Sequence, residues 1–425
     1  MPNRITGLKY ILFTAVMVLG VALISEGLLQ FACLISRKAS SMLVSCKAPL
    51  EIKDPQLGRR PNPAYPEHDN KGFQNPSVPE QVDIVALGDS QTYGWGLPAE
   101  SAWPRQLAKM SDFTTYTMAW GGYGPTHSVI LLEEAISLHP KLVIEAFYSG
   151  NDLHDSYCHV YHDNQLTWLK SGDEALQRRI QKAEDDETLD KSIARPMSVL
   201  YTVAATSSQQ DQTTSHSIVR EWFSAHSRLY GLLRAVRRMI GNRGAIRKAL
   251  TTDDWESQKQ YAQSNARYLD VCEEGQLRTI LTPAYRFAAL NLEDPRISEG
   301  KSISLKAIEA LRDRTQAKNI GFMVLLIPTK ELVFKELALR HPERMSSQLQ
   351  ELIKSEEAFW AETKDFLDKQ SIRWLDALPA LRQCLEEGHQ PYQITPDGHP
   401  NAIGHEALAK VVLAGIQNAG KNLKR

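Results

Sequence analysis

Neither sign of charge is in excess in this chain: 49 lysines and arginines stand against 50 aspartates and glutamates over 425 residues, a formal net charge of −1. With no basic surplus to neutralise phosphates, no nucleic-acid partner is expected. Cysteine is scarce, five residues in all, too few to staple a domain of this size. Cys33 falls in an apolar stretch, and no spacing selects partners among Cys46, Cys158, Cys272 and Cys384. No Cys-x-x-Cys pair, His-Glu-x-x-His helix or glycine-rich phosphate cradle occurs. Those motifs therefore call for neither a metal nor a cofactor. Beyond the first 40 residues there is no second long apolar run, so the bulk of the chain is expected to fold in water.

What is present begins at the amino terminus. Tyr10 to Ile24 is an apolar run directly after Lys9, and it resumes from Leu28 to Ile35. The first part is short against the roughly 20 residues a span needs, and the second part supplies the rest. Arg4 and Lys9 favour a cytoplasmic amino terminus. No small-x-small site closes the run, so a retained signal anchor over 1–40 is the expectation, with a cleavable signal peptide as its rival. Residues beyond about 40 would then lie outside the cytoplasm, held at the inner membrane. Prolines recur among polar residues from Pro49 to Pro79, and 41–80 reads as a linker. Residues 81–425 form the remaining domain.

Within that domain, Ile84-Val-Ala-Leu runs straight into Gly88-Asp89-Ser90 and a polar turn ending at Gly94. The pattern predicts a buried strand with one hydroxyl, Ser90, at its carboxyl end, where open α/β sheets place their ligands. A serine there is a nucleophile only if a base, an orienting acid and oxyanion donors lie elsewhere. Asp397-Gly-His399, between Pro396 and Pro400, offers a carboxylate and an imidazole in an irregular turn. Gly122, in Gly121-Gly122-Tyr-Gly, lets a backbone N–H approach a reacting oxygen closely. Asn151 follows the apolar run Leu142–Tyr148 and offers a side-chain N–H. Asp89, Tyr285 and Arg286 are further candidates for contact with substrate.

Strand, helix, strand, helix in succession from residue 83 predicts a parallel sheet covered on both faces. Strands are expected at 83–87, 113–118, 142–148, 321–327 and 372–375, with a terminal helix from Ala402. The pattern breaks between about 155 and 280, a polar stretch read as a helical insertion. Inside it, Val219 to Ile240 has an apolar face at helical spacing and a basic side.

Gly88-Asp89-Ser90, Gly122, Gly150-Asn151-Asp152 and Asp397-Gly398-His399 resemble, in order, the four blocks of the SGNH (GDSL-type) hydrolase superfamily. The resemblance covers the chain from about 83 to 415. It implies a flavodoxin-like three-layer α/β/α fold with a central parallel sheet of about five strands. It implies Ser90 as nucleophile, His399 as base, Asp397 as its orienter, and Ser90, Gly122 and Asn151 as the oxyanion hole. The chain departs in reading Gly-Asn-Asp where many members have Gly-x-Asn-Asp, and Asp-x-His where many have Asp-x-x-His. The shorter last spacing is similar to that of alginate-type polysaccharide O-acetyltransferases.

Three activities follow as expectations. The first is a serine esterase acting on acyl esters of carbohydrate or a small molecule. The second is O-acyl transfer to an exopolysaccharide or envelope glycan, with a membrane acyl-donor partner. The third is a non-catalytic polysaccharide-binding or assembly protein, which would be expected to lack a member of the triad. None is missing.

Overall fold

The structure, a computed structural model, describes residues 3–35, 49–65, 67–204, 227–230, 254–342 and 345–422. The amino-terminal apolar run forms one helix, α1 (Asn3–Ile35), with large apolar side chains such as Phe13, Leu19, Ile24 and Leu28 exposed. Among the described residues no helix is long and apolar enough to cross a membrane, so the expected spanning segment has no support here.

The segment read as a linker is part of the folded body wherever it is described. A hairpin, β1 (Glu51–Asp54) against β2 (Gly58–Pro61), is followed by a stretch in which Phe73 is wholly buried and His68, Asp69 and Asn75 are buried with partners. Asp69 accepts from the Tyr116 hydroxyl at 2.7 Å and Asn75 bonds the backbone of Thr117. Its prolines confine φ and remove donors, but they do not prevent side chains between them from packing.

The sheet starts at β3 (Ile84–Gly88), whose five residues are all buried. The short helix α2 (Ser90–Tyr93) follows at once, and α3 (Trp103–Met110) leads to β4 (Thr115–Ala119). Helix α4 (Pro125–Ile136) returns the chain to β5 (Leu142–Tyr148), and α5 (Asp152–Tyr161), α6 (Glu174–Asp186) and α7 (Leu189–Ala204) come next. Helix α8 (Trp255–Ser264), the hairpin β6 (Asp270–Glu274) and β7 (Leu277–Leu281), α9 (Pro283–Leu290) and α10 (Pro295–Gln316) precede β8 (Gly321–Ile327). After the short helices α11 (Lys330–Val333) and α12 (Lys335–Ala338) come α13 (Ser347–Lys369), β9 (Trp374–Asp376), α14 (Leu378–Glu386) and α15 (Ala402–Asn422).

The five-stranded sheet runs β4-β3-β5-β8-β9, and every neighbouring pair is parallel. Counting only its own strands, this is the order 2-1-3-4-5 of the flavodoxin-like class, whose switch point lies beside the first strand. Both faces are covered, and β3 shows why its sequence is apolar without alternation. Ile84 and Ala86 enter one core with Trp103 of α3, Phe359 of α13 and Leu408 of α15. Val85 and Leu87 enter the other, with Leu132 of α4 and Leu311 of α10. Each fully buried Val, Leu or Ile contributes roughly 1.5–3 kcal/mol.

The insertion is helical at α5 to α8, but Asp270–Leu281 is a hairpin. Its two-residue turn begins at Gly275, which takes φ +60°, as a tight hairpin of this kind requires. The amphipathic stretch Val219–Ile240 lies outside the described residues except for 227–230, where Glu26 of α1 accepts from the Ser227 hydroxyl and from the amides of Arg228 and Leu229.

Candidate active site

The sheet brings the four sequence blocks to its carboxyl edge. At the end of β3, Gly88 has φ +147°, and a Cβ there would fall 2.6 Å from the Thr92 hydroxyl. The strand can therefore turn directly into α2 only with glycine at this point. Asp89 caps α2, its carboxylate accepting from the Gln91 amide at 2.8 Å. Ser90 is the first residue of the helix, so its N–H has no intrahelical acceptor. Burial lifts the Asp89 carboxyl to about 7; Asp155 adds to the rise, while the Gln91 amide, His399 and Arg286 oppose it. Asp89 is wholly buried, a cap beneath Ser90 rather than a surface for substrate.

His399 and Asp397 complete a hydrogen-bonded chain. The His399 Nε2 lies 2.8 Å from Ser90 Oγ, and its Nδ1 lies 2.5 Å from Asp397 Oδ1. The same Asp397 oxygen accepts the His399 backbone amide at 3.0 Å. Desolvation alone would raise the Asp397 carboxyl, but the charge and hydrogen bonds of His399, with the charge of Lys330, hold it down at about 2. It is therefore a carboxylate at any working pH, as an orienter of imidazole must be.

Gly122, with φ +79°, and Gly121 form the loop after β4. A Cβ on Gly121 would sit 3.9 Å from Ser90 Cβ and 3.8 Å from the Trp95 indole. One on Gly122 would lie 4.0 Å from an Asp155 oxygen. Asn151 follows β5 and its amide donates to Asp155, leaving its second N–H uncommitted to that bond. Ser90, Gly122 and Asn151 thus stand around the switch point, from the loops after β3, β4 and β5.

Two buried cations tie these loops together. Arg286 of α9 donates to the Gly150 carbonyl at 3.2 Å, and its guanidinium lies over the rings of Tyr148 and Tyr285. A Cβ on Gly398 would fall 2.3 Å from Arg286 Nη2, so glycine between Asp397 and His399 is what lets this side chain in. Arg286 and Tyr285 are both buried; they stand behind the Asp-x-His loop, not on an open cleft wall. Lys330, at the start of α11, donates to the carbonyls of Ile280, Thr395 and Asp397 at 2.6, 2.9 and 2.9 Å. Burial lowers its ammonium to about 8, against the opposing charges of Glu331 and Asp397.

Asp155 escapes a reading of the sequence for catalytic blocks, and Lys330, with Thr329 and Glu331, stands out in it only weakly. The signal for Lys330 is its place in Thr329-Lys-Glu331, the turn that ends β8 at the same edge as the other blocks. For Asp155 it is the four-residue spacing from Asn151, which puts both on one side of α5. A separate cleft of about 650 Å³ opens at the far end of the sheet, lined by Leu142, Arg312, Ile320 and Phe322; none of the catalytic candidates lines it.

No protein-family model matches the chain, and no curated protein does. Solved structures do. An acetylxylan esterase of Geobacillus stearothermophilus is 9% identical with TM-score 0.34, the alignment covering 80% of this chain and 95% of that one. A GDSL-like lipase of Bacteroides thetaiotaomicron is 10% identical at TM-score 0.31, over 79% and 88% of the two chains. The chain is similar also to a G-D-S-L family protein of Desulfitobacterium hafniense, at 10% identity and TM-score 0.31, over 79% of this chain and 99% of that one. Likeness at this level carries no reaction with it, and the functional reading rests on the geometry of the site itself.

Proposed function

We propose that this protein is a serine ester hydrolase of the SGNH type that forms an acyl-enzyme on Ser90. The observation that carries the reading is the unbroken chain Asp397–His399–Ser90, with contacts of 2.5 and 2.8 Å, at the switch point of the sheet. His399 Nε2 takes the Ser90 proton as Oγ attacks the ester carbonyl, and Asp397 holds the ring's other nitrogen and stabilises the imidazolium. The N–H groups of Ser90 and Gly122 and the Asn151 amide receive the oxyanion, each such donor contributing roughly 3–4 kcal/mol to the barrier reduction. His399 then returns the proton to the leaving alcohol and activates water for the second half-reaction.

An acylated carbohydrate is the substrate class we favour. Trp95 is 39% exposed and approaches the same point beside Gly121 as Ser90 does, giving an open aromatic face next to the nucleophile. The Asp-x-His spacing favours transfer to a glycan hydroxyl as the second reading, with a membrane acyl-donor partner. We place the protein at the outer face of the inner membrane, with the exposed apolar side chains of α1 as the tether.

The full chain in detergent is assayed for p-nitrophenol release from p-nitrophenyl acetate, beside Ser90→Ala and His399→Ala. Both variants are expected to lose about a thousandfold or more in kcat/KM. Activity that survives Ser90→Ala would falsify the reading. Acyl release that accelerates with added glycan distinguishes transfer from hydrolysis.

A further inference from the structure

One face of α5 carries a cluster that the ester chemistry does not use. His154, Cys158 and His162 recur every four residues, on α5 and its carboxyl cap, and Asp190 reaches them from the first turn of α7. Cys158 Sγ lies 3.4 Å from His154 Nε2 and 3.6 Å from Asp190 Oδ1. His154 Nε2 is 3.5 Å from the same Asp190 oxygen, and His162 Nδ1 is 3.6 Å from the other. Donor atoms of His154, Cys158 and Asp190 all fall within 4.8 Å of one another.

The nitrogen–oxygen separations are long for hydrogen bonds, which centre near about 2.9–3.0 Å. Those among His154, Cys158 and Asp190 match three edges of a tetrahedron. Zinc bonds of about 2.0–2.1 Å to nitrogen or oxygen and about 2.3 Å to sulfur put neighbouring ligand atoms roughly 3.3–3.8 Å apart. We propose that His154, Cys158 and Asp190 form a three-ligand site for a zinc-class divalent cation, with its fourth position open to solvent. An imidazole, a thiolate and a carboxylate suit zinc; calcium and magnesium take oxygen ligands throughout. Cys158 binds as thiolate and gives its proton to solvent.

The His154 imidazole is held as a ligand needs to be. His154 Nδ1 meets Asp155 Oδ1 at 3.0 Å, which turns Nε2 toward the cluster, the carboxylate–histidine–metal arrangement that fixes tautomer and ring. The outer nitrogen of His162 faces Glu184 at 3.6 Å. Asp155 also accepts the Asn151 amide through its second oxygen. The cation would therefore hold His154, His154 would hold Asp155, and Asp155 would hold the oxyanion donor. That coupling rests on the ester-hydrolase reading, whereas the metal site stands without it. Sequence motifs for zinc miss the cluster because they look for Cys-x-x-Cys and His-Glu-x-x-His, and one ligand here comes from the next-but-one helix.

The test uses the full chain without a histidine tag, stripped by a chelator and titrated with Co²⁺ as a spectroscopic probe. One equivalent is expected to give the visible bands of tetrahedral cobalt and a thiolate-to-cobalt charge-transfer band. Cys158→Ser should abolish the charge-transfer band, and Asp190→Asn, at an exposed position, should weaken Zn²⁺ at least tenfold in competition with a chromophoric chelator. Absence of the charge-transfer band from the wild type, its persistence in Cys158→Ser, or unchanged Zn²⁺ affinity in Asp190→Asn overturns the site. Removal of zinc should also lower kcat on p-nitrophenyl acetate several-fold at constant KM. An unchanged kcat overturns the link to Asn151, and the cobalt spectrum reports on the site even if no ester is cleaved.

Discussion

Trp95 is the side chain whose surroundings say most about substrate. It packs against Tyr93 and Trp120 at ring-centroid distances of 5.9 and 5.7 Å, yet 39% of it remains open to solvent. An indole fixed on one side and bare on the other is a ready stacking surface. Trp95→Ala is expected to raise KM for an acetylated xylo-oligosaccharide about five- to tenfold, about 1–1.4 kcal/mol. KM for p-nitrophenyl acetate should stay within about twofold. Equal effects on the two substrates would remove the case for a glycan. At this scale the sequence is informative wherever a residue's chemistry is unusual for its place. Ser90, His399 and Asp397 stand out as polar residues at chain turns with a shared chemistry. Lys330 stands out only weakly, because a lysine beside a glutamate reads as surface until the fold buries it under three carbonyls.

Among the elements, β5 carries an acid that its strand pattern cannot explain. Glu145 pairs in register with Leu87 of β3 and Val324 of β8 and is wholly buried. Burial lifts its carboxyl to about 8, with Asp89 adding to the rise and Ser128 opposing it. A carboxyl raised in the folded state contributes stability that is fully present below its unfolded value, near about 4.5, and lost as pH climbs through 8. The span corresponds to about 5 kcal/mol at most. Glu145→Gln should therefore flatten the fall in Tm between pH 5 and 8.5, leaving the slope due to the other raised carboxyls, Asp89, Asp152, Glu356 and Asp270. Parallel Tm curves for the two proteins would show that Glu145 ionises freely in the fold. The helix and strand boundaries around this edge were legible to within about two residues, since each strand is a short apolar run closed by a turn. The β6–β7 hairpin was not, because its polar residues look helical in composition and only Gly275 marks the turn.

For the whole molecule, one helix stands apart in character from the rest. Among the described residues of the α/β body, exposed large apolar side chains such as Trp168 and Leu339 stand singly, whereas along α1 they form a run, and exposed apolar patches of this sort mark an interface with lipid or protein. The full chain expressed in a bacterium is expected to sediment with membranes and to resist extraction by alkaline carbonate, while deletion of 1–40 should release it. Recovery of the full chain in the soluble fraction would remove the tether and, with it, the proposed compartment.

What the linear order of residues determined is the kind of fold and which residues are the candidates for its chemistry. Short apolar runs alternating with helices dictate a parallel sheet, and turns after such runs are where its chemistry must sit. Those relations are local, and local patterns survive in one dimension. What only the tertiary structure decided are relations between residues far apart in the chain: Ser90 against His399, Lys330 beneath Asp397, Arg286 filling the space that Gly398 leaves. The same holds for Asp190 beside α5 and for the prolines of the supposed linker. Burial and donor geometry arise from packing between elements, and no spacing along the chain encodes which surface a side chain will meet.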